Sequence, residues 1–159
     1  LSFLAVILPV FAHLSIIGAP AAGLAALGGA SPASVASFFG ATYSAPTTTS
    51  EAEPCSEGVY TFSGGTATVQ FCRDRAYSFL LSFEQGTSTA EALLSRVGLS
   101  MASPAMSGLV LTEEGPGHRQ WTFDPDVVVP DGVVPAERLI ASQGPTGWSQ
   151  LLLDFPSAP

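Results

Sequence analysis

Apolar and polar positions follow three regimes along this chain. From Leu1 to Gly29 the sequence is apolar and uncharged, bulky in its first half (Leu4, Leu8, Phe11, Ile16) and small in its second (Ala19, Ala22, Gly23, Ala26). As a helix this stretch reaches roughly 43 Å, against about 30 Å for the hydrocarbon core of a bilayer. Pro9 and Pro20 each remove a backbone donor, so the pattern predicts a kinked helix with a break near Gly18-Ala19-Pro20. A second, shorter helix is expected through "ASPASVASFFGATY", with Ser31 as cap and Pro32 at the first helical position. The stretch "SAPTTTSEAEP" (44–54) then reads as a flexible polar linker.

Beyond Pro54 the period shortens to two. "SEGVYTFSGGTATVQF" predicts two alternating strands around a turn at Ser63-Gly64, with Ala67, Val69 and Phe71 on one face. In "AYSFLLSFE", Tyr77, Phe79, Leu81 and Phe83 alternate with Ser78, Leu80, Ser82 and Glu84, the signature of a half-buried strand. Further strands are expected at 108–113, 118–124, 126–130, 137–142 and 147–155, separated by Gly- and Pro-rich turns. One helix is signalled by Ser88-Thr89-Ala90-Glu91, which matches a capping box, with Leu93, Leu94 and Val97 behind it and Gly98 as terminator. The expected fold is mainly β: an N-terminal hydrophobic helix followed by a small antiparallel β-sandwich or barrel-like domain with one short helix. Three regions follow, namely residues 1–29 as anchor or assembly core, 30–54 as small-residue segment and linker, and 55–159 as a β-rich domain.

Charge sharpens that division. All the charged side chains lie between Glu51 and Asp154, and the net charge of −8 includes five Arg and no Lys. Nucleic acid and anionic headgroups both require a basic surface, so neither is an expected partner. The two cysteines, Cys55 and Cys72, flank the first hairpin. A turn centred between Ser63 and Gly64 sets them directly opposite one another, within reach of a disulfide. That bond favours an oxidising, extracytoplasmic compartment.

Candidate chemistry is sparse. No nucleophile elbow, phosphate loop or dinucleotide fingerprint appears. His13 is the one ionisable side chain in the first fifty residues, and an imidazole there is a candidate cofactor ligand without a partner. His118 falls in a Gly-Pro-Gly turn beside Arg119. Asp124, Asp126 and Asp131 miss the calcium-loop spacing and read as turn residues. Glu113 and Glu114 are adjacent on a strand and point to opposite faces. Trp121 and Trp148 lie in alternating strands and read as core. Neither an enzymatic activity, nor a cofactor, nor a small-molecule substrate is expected.

Small residues allow helices to approach closely in lipid. Leu4, Leu8, Phe11, Ala19, Ala22, Gly23 and Ala26 are therefore the expected assembly interface. An apolar N-terminal helix joined to a β-rich outer domain resembles, in architecture, the type IV pilin-like subunits, although this chain carries Leu1 and Ala5 where bacterial pilins carry Phe and Glu. The resemblance implies a leader cut away ahead of the helix, self-association through residues 1–29 and display of the β-domain outside the cell. Two other readings remain open. One is an accessory single-pass subunit of a membrane complex, docking on other subunits through the same residues. The other is a secreted binding module whose signal remnant is cut near Ala30 or after Ala36.

Overall fold

Eight antiparallel strands join edge to edge in the computed structural model, which describes residues 23–41, 47–50 and 54–156. They are β1 (Thr47–Ser50), β2 (Cys55–Phe62), β3 (Gly65–Cys72), β4 (Arg75–Thr87), β5 (Leu109–Gly115), β6 (His118–Phe123), β7 (Arg138–Gly144) and β8 (Gly147–Asp154). Their order across the sheet is β1-β2-β3-β4-β8-β7-β6-β5. Each half is a four-stranded meander preceded by a helix: α1 (Pro32–Phe38) before β1, and α2 (Ala90–Arg96) before β5. Counted inward from either edge, the strands of each half come in chain order, and the centre falls between β4 and β8.

The fold is mainly β, as the alternation predicts, but it is one open sheet rather than a sandwich or barrel. Short helices and turns replace the second sheet. Side chains of one sheet face, among them Ala67, Val69, Phe71, Phe79, Leu81, Leu139, Leu151 and Leu153, are fully or almost fully buried. Their cover comes from Val35, Ala36 and Phe38 of α1, Leu93 and Leu94 of α2, and the 3-10 turn Leu24–Leu27. Phe39, just past α1, stacks on Tyr60 and Phe62 of β2 with ring centroids 5.9 and 5.4 Å away. Burial of such rings is what holds a short helix that has little stability of its own.

Several expectations need correction. The apolar N-terminal helix does not run to Gly29, because Leu24–Leu27 form a single 3-10 turn buried in the domain. Gly29 N and Ala30 O bond Ala76 of β4 at 2.8 and 2.9 Å, which ties this segment to the sheet. Cleavage near Ala30 or after Ala36 would thus strip buried residues such as Leu24 and Val35 from the core. The expectation for residues 1–22 lies outside the described residues. Among the described residues no helix is long and apolar enough to cross a membrane.

The segment read as a linker contains β1, which pairs with β2 from Thr47↔Glu57 to Ser50↔Cys55. Residues 126–130 are not a strand. Asp124 accepts a bond from Asp126 N at 3.0 Å, turning the chain between Pro125 and Pro130 and leaving Val128 91% exposed. The cap of α2 is Thr89, not Ser88. Its hydroxyl accepts from Ala92 N at 3.1 Å, which moves the helix start by one residue. Tyr77 is only half-buried, since a bulge pairs Phe71 with Ala76 and gives Ala76 the inward place. Ser31 caps α1 with Pro32 at its first position, as expected.

A candidate docking face

The sheet has a second face, and no element among the described residues covers it. Strand register fixes what it displays. Across the middle, Val59 pairs with Thr68, Thr68 with Leu80, Leu80 with Leu152, Leu152 with Ile140, and Ile140 with Gln120. Four of these six are aliphatic, with Val59 64% and Leu80 43% exposed. The central pair, Leu80 and Leu152, spans the β4–β8 boundary where the two meanders meet.

Polar rows flank this strip. On one side run Thr61, Thr66, Ser82, Gln150, Ser142 and His118. On the other run Glu57, Gln70, Ser78, Asp154, Arg138 and Thr122. The charged members of the second row are satisfied within it. Gln70 Nε2 donates to Glu57 Oε1. Ser78 Oγ donates to Asp154 Oδ1 at 2.6 Å, while Arg138 donates to Oδ2 from Nε at 3.0 Å and from Nη2 at 2.6 Å. Asp154 is thereby held from both neighbouring strands. Beside it lies a shallow hollow of about 410 Å³ bordered by Gln70, Tyr77, Glu137, Arg138 and Asp154.

The other surfaces offer less to a partner. Edge strand β5 exposes Val110 and Leu111, but a bulge at Thr112 and the carboxylates of Glu113 and Glu114 disrupt the run that an added strand would need. Edge strand β1 has only four residues. On the helical side an apolar cleft of about 430 Å³ lies between Ala25, Ala26, Pro104, Val133 and Val134, with Ser103 as its hydroxyl.

The residues singled out from the sequence are dispersed. Leu4, Leu8, Phe11, His13, Ala19 and Ala22 lie outside the described residues. Gly23 is buried against Gly98 of the same chain, so it serves intramolecular packing rather than a helix contact with a partner. Ala26 is exposed and borders the apolar cleft. Cys55 and Cys72 face each other at one end of the β2–β3 pair and form a disulfide with Cα atoms 4.0 Å apart.

His118 Nε2 lies 3.6 Å from Glu113 Oε1 at the rim of the open face. On the opposite face Arg119 meets Glu114 at 3.0 Å and also bonds Glu91 of α2. Glu91 has its carboxyl pKa lowered, first by its own backbone N–H and then by Arg119, and Glu91 in turn raises Arg119. This cluster clamps a helix to the sheet edge. Among the described residues no group of three or more His, Cys, Asp or Glu side chains lies close enough to hold a metal ion.

The open-face strip was missed in the sequence, yet it left a signal: Leu80, Ile140 and Leu152 are aliphatic residues in the polar phase of their strands. Comparison of the chain with protein-family models, with curated proteins and with solved structures finds no match. The functional reading therefore rests on the geometry of this domain.

Proposed function

We propose that the chain is a non-catalytic, extracytoplasmic subunit, carried to or held at a membrane by its apolar N-terminal segment and assembled through the open face of its sheet. The observation that carries this reading is the aliphatic strip of Leu80, Leu152 and Ile140 at the centre of an uncovered face, flanked by an uncharged row on one side and, on the other, by charged groups already bonded to one another. Burying the face would remove apolar surface from water without stranding a charge, because Asp154 keeps Arg138 and Ser78 as partners. The Cys55–Cys72 disulfide supports an oxidising compartment. The uncharged stretch before Gly23 supports delivery to a membrane. The pilin-like architecture and the accessory membrane subunit are two settings of this same role.

The test is made on native material. A tagged wild-type chain and its Leu80→Asp variant are expressed in source cells, extracted in mild detergent and sized on a gradient. Wild type sediments in an assembly larger than the free chain, and the variant as the free chain. Wild type sedimenting as the free chain overturns the reading.

A further inference from the structure

The open face leaves its occupant to be identified, and four observations bear on it. First, its dimensions suit a protein surface. Eight strands at about 4.8 Å spacing and roughly five residues of each at ~3.4 Å give about 38 Å by 17 Å, near 650 Å² per partner and about 1,300 Å² for a pair, inside the range of stable specific contacts.

Second, the face is locally balanced although the chain carries a net charge of −8. Within the three rows Glu57 is bonded to Gln70, and Asp154 to Arg138 and Ser78. Three further acids border the face without reaching its centre: Glu113 beside His118 at the β5 rim, Glu84 one step beyond Ser82 on β4, and Glu137 next to Arg138. Asp74 lies in a hairpin turn, Glu91 and Glu114 on the helical side, and Asp124, Asp126 and Asp131 in the loop after β6. A second acidic chain can approach the face without opposing like charges at its centre.

Third, the face is symmetric about its middle. Each half runs as a four-strand meander from its edge to the middle, so Leu80 and Leu152 flank the centre and Thr68 and Ile140 lie outside them. A copy turned over on this surface sets its own Leu80–Leu152 pair on the first pair in either strand direction. Fourth, sheets stack face to face with strands near parallel at about 10 Å, a spacing that aliphatic and hydroxyl side chains fill.

We propose that the open face docks the same face of a second copy of this chain, giving an isologous dimer in which two half-covered sheets complete one β-sandwich. The proposal rests on the open face being the assembling surface.

The purified full-length chain is examined in dodecyl maltoside by light scattering corrected for bound detergent, at about 100 µM and about 1 µM, concentrations that bracket a micromolar contact. Wild type is a dimer at the higher concentration. Leu80→Asp and Thr68→Asp each weaken the dimer by about ten-fold or more while leaving the far-ultraviolet circular dichroism unchanged, because both side chains lie on the sheet face away from the core. Leu8→Asp, in the apolar segment, leaves the dimer intact. A wild-type monomer at both concentrations, or a dimer lost with Leu8→Asp and kept with Leu80→Asp, overturns the proposal. If the purified chain is a monomer while Leu80→Asp still drops out of the native assembly, the second-copy proposal fails alone and the open face docks another polypeptide. If neither experiment responds to Leu80→Asp, the assembling role of the face fails with it.

Discussion

Gly23 and Gly98 meet backbone to backbone: a Cβ built on Gly23 would lie 2.5 Å from the Gly98 carbonyl oxygen. Both have positive φ, 62° and 72°, and Leu24 N bonds the neighbouring Val97 carbonyl at 3.3 Å. The contact joins the start of the described chain to the end of α2 and closes the helical cover over the core. Gly23→Ala is expected to destabilise the domain by about 1–3 kcal/mol through strain and clash together. Gly98→Ala should cost less, since its Cβ would sit 3.2 Å from Gly23 Cα. Urea unfolding of the two variants checks the order.

Phe79 and Leu80 are neighbours with opposite fates. Phe79 is fully buried and Leu80 is 43% exposed. Phe79→Ala should cost about 3–5 kcal/mol, the value for a buried ring. Leu80→Ala should cost under about 1 kcal/mol in the monomer, as expected for a surface position. Equal costs at the two positions would contradict the assignment of the open face.

The β3–β4 turn holds Arg73 and Asp74 at φ 54° and 59°, a left-handed pair that two-residue hairpin turns ordinarily fill with Asn and Gly. Asp74→Gly relieves one of the two and should stabilise the domain by about 0.5–1 kcal/mol. A rise in melting temperature checks it.

The disulfide closes a loop spanning a sequence separation of 17. Replacing Cys55 and Cys72 together by Ser should cost about 3 kcal/mol on the loop-entropy estimate. Reductant should lower the melting temperature of wild type and leave the double variant unmoved.

Glu91 supplies the pH dependence. Its folded pKa is depressed below the ordinary value of 4.5 by its own backbone N–H and by Arg119. Stability from this carboxylate is therefore present above the ordinary value and lost as pH falls through the lowered one. Wild type and Glu91→Gln should differ most in urea midpoint at around pH 7 and converge as pH falls below the ordinary carboxylate range. A gap independent of pH would remove Glu91 from the clamp.

Much of the fold was legible in residue spacing. Ala67, Val69 and Phe71 alternate and are buried together, and the turn at Ser63-Gly64 fixes the register that joins Cys55 to Cys72. What spacing could not supply was the number of sheets. Alternation says that one face is covered and not by what, and here short helices, one ahead of the strands and one between the two meanders, do the covering. The strand expected at 126–130 failed because β-branched Val residues lie between two prolines, where Asp124 turns the chain. Gly23 and Leu24 sit at the end of an apolar run, so composition assigned them to a helix, whereas a buried contact with Val97 and Gly98 decides their conformation. The open face was legible only as aliphatic residues out of phase, and their alignment into one strip needs the β4–β8 pairing that sequence spacing does not reveal.

Hydroxyl-radical footprinting of the native assembly against the disassembled, folded chain addresses the central claim most directly. Oxidation of Leu80, Ile140 and Leu152 is compared with Leu111, Val128 and Val134, which are exposed away from the open face. The account predicts that the first three react more slowly in the assembly while the second three are unchanged. Equal reactivity of Leu80, Ile140 and Leu152 in the two states would contradict it.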